Sequence, residues 1–326
     1  MIGGVAGVLA VHGGAGGRGP AVPDPERDTA VRAALAEALR AGQRVLAAGG
    51  PALHAAVEAV AVLEDCPALN AGRGAVLRSD GSVALDASVM DGRERRAGGV
   101  AAVRRLRNPV RAAHAVLSQS PHVLLTGPEA EAFALARGLE PAAEDWLVTP
   151  QRSAQLERAR AAARVALDHD GPPDSPADGG DDGAGTVGAV ARDAEGHLAA
   201  ATSTGGMTNS LPARVGDSPV PGAGTWADDA TCAVSGTGEG EIFLRCAFAH
   251  EVDAQLRVGG LPLEEACERA LARVVALGGR GGCAAIDTRG RVALPFNTFA
   301  MPRGMLGQDA EPRIALRRDE PLARMH

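Results

Sequence analysis

Apolar strands in this chain come in hairpins, and this arrangement most constrains its fold. Two apolar runs, 187–192 and 197–203, flank a DAEG turn at 193–196. A second pair, 282–287 and 291–295, flanks a short TRG turn. Strands joined by such short turns run antiparallel, because parallel strands need a crossover of roughly a dozen residues or more. The chain is therefore predicted to form antiparallel sheets covered by helices, not a doubly wound parallel sheet.

Helical periodicity fills much of the sequence between the strands. Apolar residues recur at helical spacing over 25–48, and Pro51 suits the first turn of a second helix. We further predict helices over 109–118, 128–137, 151–167, 244–258 and 263–277, and strands over 5–11, 98–103 and 123–125. Strands over 75–78 and 82–86 are predicted to form another hairpin across Asp80-Gly81. These elements describe an α+β protein, and 326 residues can form one large domain or two smaller ones.

Composition argues against several classes of function. All 33 basic residues are arginine, which removes chemistry that requires a lysine amine, such as a pyridoxal Schiff base. The net charge of −7 argues against a nucleic-acid partner. The five cysteines are odd in number and lack C-x-x-C spacing, which favours a reducing, cytoplasmic location. We expect no membrane association, because no apolar run reaches the ~18 residues of a span, and the N-terminus lacks the basic region of a signal peptide.

An acidic segment from 168 to 185 interrupts the regular pattern. It carries six aspartates and three prolines and ends directly before Thr186. Such a segment buries too little apolar surface to offset the entropy of ordering it, so we expect a flexible linker. A threonine preceded by glycine, between a loose segment and the core, suggests cleavage of the bond between Gly185 and Thr186. Taken alone, the Gly-Thr dipeptide is more often simply the start of a strand.

Cleavage before Thr186 would make this residue an N-terminal nucleophile. Its freed α-amino group, with an ordinary pKa of about 7.7–8.0, could accept the hydroxyl proton near neutral pH without a histidine. Thr204 ends the return strand of the same hairpin, which can bring a second hydroxyl beside Thr186. The local pattern thus favours a threonine nucleophile with a hydroxyl partner.

Two downstream loops offer groups that could bind a substrate. Arg214 and Asp217, in a segment rich in glycine and proline, could hold the carboxylate and ammonium of an α-amino acid. An exposed ion pair of little energetic value is the alternative. The SGTGEGE run at 235–241 provides closely spaced N–H groups and a hydroxyl, as an oxyanion hole requires. It does not fit the register of a phosphate-binding loop, and HGG at 12–14 lacks the G-x-S-x-G motif of serine esterases.

Long ordered motifs run through nearly the whole chain: HGGAG at 12–16, LEDCPALNAGRGAV at 63–76, LDASVMDG at 85–92, RNPVRAA at 107–113, GTVGAVARD at 185–193, AAATSTGGMTNSLPARVGDSPVPGAG at 199–224 and ALPFNT at 293–298. The chain thereby resembles the plant-type (type III) L-asparaginase and isoaspartyl aminopeptidase family of N-terminal nucleophile hydrolases. The resemblance implies one domain over 1–326, a four-layer αββα sandwich of two stacked, mainly antiparallel sheets. It also implies autocleavage into an α subunit (1–185) and a β subunit (186–326), assembled as (αβ)₂.

The resemblance also implies a role for each site residue. Thr186 would attack the side-chain amide of L-asparagine or the isopeptide carbonyl of a β-aspartyl dipeptide. Thr204 would tune this nucleophile, and Asn70 would support maturation. The oxyanion and substrate groups would be Thr237, Gly238, Arg214, Asp217, Glu239 and Gly240. A structural sodium ion, with no organic cofactor, would bind main-chain carbonyls of Leu63, Glu64, Cys66, Leu69, Ala71 and Arg73.

Two residues depart from the pattern of this family, and two rival functions stay open. Arg73 brings a cation to the sodium loop where the family often has an apolar residue. Glu239 replaces a small residue, which affects the preference for the leaving group. One rival is glycosylasparaginase, whose nucleophilic threonine usually lies between aspartate and isoleucine, unlike Thr186. The other is a nonenzymatic glycine-loop binding protein that is never cleaved.

Overall fold

Two β-sheets organise the computed structural model, which describes residues 7–17, 24–162, 185–306 and 311–324. The strands are β1 (Val8–His12), β2 (Leu85–Asp91), β3 (Arg96–Val103), β4 (Leu124–Thr126), β5 (Val187–Arg192), β6 (Leu198–Thr204), β7 (Thr225–Ala227), β8 (Cys232–Gly238), β9 (Gly281–Asp287), β10 (Val292–Ala293), β11 (Ala300–Leu306), β12 (Pro312–Arg317) and β13 (Ala323–Arg324). The helices are α1 (Pro25–Ala47), α2 (Ala52–Glu64), α3 (Pro109–Gln119), α4 (Gly127–Leu135), α5 (Glu144–Leu147), α6 (Pro150–Ala161), α7 (Gly240–Cys246), α8 (Phe248–Arg257) and α9 (Leu263–Ala276). Apart from Gly185, the predicted linker lies outside the described residues.

The larger sheet has nine strands in the order β13-β12-β11-β1-β5-β6-β2-β3-β4, and the smaller has four in the order β10-β9-β8-β7. Within the described ranges, every pair of neighbouring strands is antiparallel except β3 with β4. The α+β class and the antiparallel sheets predicted from the hairpins are therefore confirmed.

The β5–β6 hairpin lies in the middle of the larger sheet. Gly188 of β5 is opposite Thr202 of β6 on one side and His12 of β1 on the other. Both neighbouring strands therefore continue beside the start of β5. This register places the residue before β5, Thr186, between the end of β1 and the end of β6.

Three apolar clusters hold the sheets and helices together. The first packs α1 to α4 on one face of the larger sheet, and the second packs α7 to α9 on the smaller sheet. The third joins residues of both sheets, among them Ala10, Val190 and Ala200 with Ala233 and Ile286. Side chains alternate between the faces of a strand, so the larger sheet contributes to the first and third clusters. Burying a large side chain contributes about 1.5–3 kcal/mol.

The hairpin predicted over 75–86 is wrong, although its turn exists. The Arg78 amide donates to the Ser82 carbonyl and closes a turn. Residues 75–78 form no strand, because Leu77 accepts from the Asn209 amide and Ser79 donates to Ser210. A distant loop thus takes the backbone groups that a local hairpin would have used.

The helix predicted over 244–258 is divided into α7 and α8. Ala247 between them has a φ of 47°, in the left-handed region that an L-residue adopts at a cost. The amides of Ala249 and His250 donate to the carbonyls of Ala223 and Gly222 instead of to a preceding helical turn. Tertiary hydrogen bonds therefore end one helix and start the next.

Candidate active site

Thr186 lies directly before β5 and is only 7% exposed. Its hydroxyl donates to Thr204 Oγ1 at 3.1 Å. Thr204 Oγ1 also accepts the Gly206 amide proton at 3.0 Å, which fixes the orientation of this partner. The Ser218 hydroxyl lies 3.4 Å from Thr186 Oγ1. The structure thus brings the predicted partner Thr204 to Thr186 and adds Ser218, which the sequence reasoning missed.

Gly185 lies against the glycine loop that follows β1. Gly14 has a φ of +107°, and a Cβ there would overlap the backbone of Gly185. Glycine is therefore required at position 14 both by conformation and by close approach. The next residue, Ala15, donates its amide proton to Thr237 Oγ1 at 2.9 Å. The HGGAG loop thus contacts both the predicted cleavage position and the predicted oxyanion group.

Thr237 and Gly238 form the end of β8. The Thr237 side chain is fully buried. Because its oxygen accepts from Ala15, its own O–H proton is available to donate. Gly238 has a φ of +156°, and a Cβ there would overlap the Arg280 carbonyl. A fixed hydroxyl donor on a rigid strand end is what an oxyanion site requires.

Arg214 and Asp217 lie together beside Gly240, as predicted. A Cβ on Gly240 would lie 2.6 Å from Arg214 Nη2 and 2.8 Å from Asp217 Oδ1. Asp217 is buried, and its Oδ2 has no hydrogen-bond partner among the described residues. Burial raises the pKa of Asp217 to about 6, although the Arg214 cation opposes this shift. A buried, unpartnered carboxylate oxygen is suited to receive a cationic donor such as an ammonium group.

Glu241 is a further member of this charged group that sequence reasoning did not assign. Arg214 Nε and Nη2 donate to its two carboxylate oxygens, each at 2.9 Å. The Arg214 side chain is 13% exposed and that of Glu241 is 54% exposed, so the guanidinium is shielded while its carboxylate partner faces solvent. One sequence signal could have identified Glu241 as part of this group. It lies two residues after Glu239, in the first turn of α7.

Asn70 supports the segment after Thr204 and does not contact Thr186 itself through a described hydrogen bond. Its Nδ2 donates to the Gly206 carbonyl at 2.9 Å, and its own carbonyl accepts from the Gly205 amide at 3.0 Å. Its Oδ1 accepts from the Val76 amide at 3.0 Å. Asn70 thereby fixes the chain that carries the partner of the nucleophile.

Arg78 is a second buried cation near the substrate groups, and the sequence reasoning missed it. Arg78 Nη1 donates to Ser210 Oγ at 2.8 Å, and Nη2 lies 3.8 Å from Asp86 Oδ2. Both side chains of the pair are fully buried, and burial raises the pKa of Asp86 even beside this cation. The guanidinium groups of Arg78 and Arg214 both approach Gly206. Two guanidinium groups thus lie close to the segment after Thr204.

Buried polar side chains connect the two sheets behind Thr186. The contacts are His12 Nε2 to Ser235 Oγ at 2.9 Å, Ser235 to Thr202 at 2.7 Å, Thr202 to Thr225 at 2.5 Å and Thr225 to Ser88 at 2.8 Å. Ser88 Oγ then donates to the Ser218 carbonyl at 2.5 Å. Burial lowers the pKa of His12 to about 3, so its ring is neutral near pH 7. This row fixes the backbone of Ser218, whose hydroxyl faces Thr186.

Comparison with known proteins decides the family. A family model described as asparaginase matches residues 5–316. The chain belongs to the asparaginase family. It is 50% identical over 297 residues to the isoaspartyl peptidases of Salmonella typhimurium and Escherichia coli, which covers 91% of this chain and 94% and 91% of theirs. It is 36% identical over 322 residues to the probable isoaspartyl peptidase/L-asparaginase 2 of Arabidopsis thaliana, covering 94% and 98%. The resemblance carried by the motifs is confirmed.

The loop after α2 of this asparaginase-family chain presents backbone oxygens in a small space. A Cβ on Gly72 or Gly74 would overlap the carbonyl oxygens of Glu64 or Leu69, respectively. Carbonyl oxygens and a cradle lined by glycine fit a hard cation such as sodium. Arg73 is exposed, and its guanidinium lies 5.5 Å from the centroid of the Trp146 ring. The Arg73 guanidinium therefore lies over an aromatic ring, within the range of a cation–π interaction.

The described residues contain no group of three or more His, Cys, Asp and Glu side chains arranged to hold a metal ion. Within the described ranges, the helices are all too short or too polar to cross a membrane.

Proposed function

We propose that this chain hydrolyses the side-chain amide of L-asparagine and the isopeptide bond of β-aspartyl dipeptides. The products are L-aspartate and either ammonia or an amino acid. The observation that carries the proposal is the convergence of three groups at one place. These are the Thr186–Thr204 hydroxyl pair, the Thr237 hydroxyl and the Arg214–Asp217 clamp. The names of the relatives, isoaspartyl peptidase and L-asparaginase, support the same substrates.

The enzyme matures, in this proposal, by cutting its own chain before Thr186. The Thr186 oxygen attacks the Gly185 carbonyl carbon, the C–N bond breaks, and an ester joins the two residues. Water then hydrolyses the ester, which leaves a carboxylate on Gly185 and frees the Thr186 hydroxyl and amine. The tight contact between Gly185 and Gly14 supports this step, because it holds the attacked peptide against a fixed backbone. The products are the α subunit 1–185 and the β subunit 186–326.

Hydrolysis then follows the chemistry of an N-terminal nucleophile. The α-amino group takes the Thr186 hydroxyl proton, and the oxygen attacks the amide carbon of the substrate. The Thr237 hydroxyl and the Gly238 amide stabilise the oxyanion, an effect worth about 10²–10³ in rate for each strong donor. The amine leaves with the proton, and water hydrolyses the acyl ester to release aspartate. Thr204 holds the nucleophile throughout, and Asn70 holds the segment after Thr204.

Selection of an aspartyl group rests on Arg214 and Asp217. Asp217 receives the α-ammonium on its unpartnered oxygen, and Arg214 receives the α-carboxylate. Arg214 has five N–H donors, of which Glu241 takes two, so a second carboxylate can share the guanidinium. Gly240 leaves room for both contacts, and Glu239 lies on the adjacent rim. The names of the relatives favour this function over glycosylasparaginase, and the ordered hydroxyl groups argue against a nonenzymatic binding protein.

Steady-state rates of the wild-type protein on L-asparagine and a β-aspartyl dipeptide, measured side by side, test the proposal. Release of ammonia and of the free amino acid reports the two reactions separately. We expect saturable hydrolysis of both substrates. A cleaved, folded protein that hydrolyses neither substrate would overturn the proposed function.

Four further features, concerning the fold, the assembly, the location and a bound ion, belong to the same proposal. The two sheets stack as the inner layers of an αββα sandwich, which the third apolar cluster supports. The cleaved chains assemble as (αβ)₂, and size-exclusion chromatography with light scattering tests this. A cytoplasmic location is supported by free cysteines.

A sodium ion would be held by the carbonyls of Leu63, Glu64, Cys66, Leu69, Ala71 and Arg73, where its charge would stabilise the loop that leads to Asn70.

A further inference from the structure

An ion pair lies directly beside the oxyanion strand end. Arg280 Nε lies 3.1 Å from Glu239 Oε1, and the Glu239 amide donates to the Arg280 carbonyl at 3.1 Å. The Arg280 and Glu239 side chains are 17% and 26% exposed. Such a pair is shielded enough to be ordered and open enough for a ligand to reach it. It also stands on rigid elements, because Glu239 follows β8 and Arg280 precedes β9.

The ion pair and the amino-acid clamp contact different segments around Thr237 and Gly238. Arg280 Nη1 donates to the Gly17 carbonyl at 2.9 Å, and Gly17 ends the loop whose Ala15 contacts Thr237. The clamp lies beside Gly240, where the negative charges acting on Arg214 come from Glu241, Asp217 and Asp86. The strand end is therefore flanked by one charged group at Gly240 and a second at Gly17.

These two flanks match the two ends of a β-aspartyl dipeptide. When Arg214 and Asp217 bind the α-groups of the aspartyl half, its carbonyl lies at Thr237 and Gly238. The leaving amino acid then extends past the strand end, away from the clamp. This leaving group carries its own α-carboxylate, whereas the ammonia released from asparagine carries none. The α-carboxylate of the leaving amino acid would meet the Arg280 guanidinium, which already pairs with the Glu239 carboxylate.

We propose that Glu239 and Arg280 form a leaving-group subsite, in which Arg280 binds the α-carboxylate of the C-terminal residue of a β-aspartyl dipeptide. This inference rests on the proposed function. The incoming carboxylate replaces Glu239 on the guanidinium, so the cation keeps an anionic partner. The displaced Glu239 then faces the side chain of the leaving residue. It attracts a lysine or arginine there and repels a glutamate, so the subsite selects dipeptides with a basic C-terminal residue.

Wild-type protein alone provides the first test. The kcat/KM of β-aspartyl-leucine is compared with that of its C-terminal amide, which lacks the carboxylate but keeps the scissile bond. We expect the amide to be hydrolysed about tenfold less efficiently. β-Aspartyl-lysine should also exceed β-aspartyl-glutamate by about tenfold. Equal values for the acid and the amide would overturn the inference, and this test does not depend on the folding of a variant.

Arg280→Gln provides the second test, read as the ratio of kcat/KM for β-aspartyl-leucine to that for L-asparagine. We expect this ratio to fall about tenfold, with an intermediate ratio for Arg280→Lys, which keeps the charge but loses the planar fork. Arg273→Gln is the matched control, because Arg273 pairs with Glu251 on the surface with 62% of its side chain exposed. It should leave the ratio unchanged.

A purely structural role of Arg280 would lower the rates on both substrates by the same factor. An unchanged ratio in Arg280→Gln would therefore overturn the inference while leaving the proposed function intact. Failure of wild-type protein to hydrolyse either substrate would instead overturn the proposed function. Glu239→Gln separates the second part of the inference. It should reduce the preference for β-aspartyl-lysine over β-aspartyl-glutamate by about fivefold or more, and an unchanged preference would contradict the assigned role of Glu239.

Discussion

Among the described residues, two hydroxyl groups contact Thr186 Oγ1, and replacing Ser218 by alanine removes one of them. The Ser218 contact is 3.4 Å long, near the outer limit of a hydrogen bond, whereas the Thr204 contact is 3.1 Å. Loss of a well-placed donor to a reacting oxygen costs about 10²–10³ in rate. The longer Ser218 contact should be worth less, about tenfold in kcat or about 1.4 kcal/mol. Thr204→Ala should cost about 100-fold, because Thr204 Oγ1 accepts the Thr186 hydroxyl proton and thereby orients the nucleophile.

The substitution leaves the rest of the site in place. Ser88 binds the backbone carbonyl at position 218, which alanine retains. Asp217 should therefore keep its position, and we expect KM for L-asparagine to change by less than about twofold. A lower kcat at constant KM indicates an interaction that is stronger in the transition state than in the bound ground state.

The assay is steady-state ammonia release from L-asparagine, with intact mass recorded on the same samples to confirm full cleavage. Rates are normalised to the cleaved fraction, because a maturation defect would otherwise be read as a catalytic one. An unchanged kcat in Ser218→Ala would refute a role for this hydroxyl at the nucleophile. A raised KM with unchanged kcat would assign Ser218 to substrate binding instead.

Three further predictions address binding, pH dependence and the cation. Arg214→Gln should lower kcat/KM about 100-fold on both substrates, since a charge-assisted hydrogen bond is worth about 1.5–3 kcal/mol; a loss on one substrate only would contradict the shared clamp. Asp217 ionises as the pH rises through about 6, and only its carboxylate form can bind the substrate's ammonium group by charge. Below that pH, kcat/KM should therefore fall more steeply as the pH decreases, and Asp217→Asn should remove this additional fall. An identical pH profile in the variant would exclude Asp217 as its cause. The melting temperature should rise in sodium chloride compared with choline chloride at equal ionic strength, and equal values would argue against the sodium site.

The parts of the site that lie on one hairpin could be predicted from the sequence. Thr186 and Thr204 are brought together by the β5–β6 turn, and the two apolar runs that flank the DAEG turn predict that hairpin. Arg214 and Asp217 are close in sequence, so their proximity followed from a short loop. Local patterns thus sufficed where the chain reverses within a few residues.

The contacts that join distant segments could not be predicted in this way. Ser218 reaches Thr186 because β2 and β7 hold its backbone, and Glu241 reaches Arg214 because α7 begins beside the clamp. Residues 75–78 had the composition of a strand, but their backbone groups bond to the loop at 209–210. In each case, tertiary contacts decide a position that local propensity leaves open.

The central claim is that Thr186 becomes the N-terminal nucleophile of a self-cleaving hydrolase. Intact-mass spectrometry with N-terminal sequencing of purified protein, run beside the Thr186→Ala variant, tests it most directly. We predict two fragments, 1–185 and 186–326, with the second starting at Thr186, and a single uncut, inactive chain for Thr186→Ala. An uncut wild-type chain that hydrolyses asparagine, or efficient cleavage of Thr186→Ala at the same bond, would contradict the account.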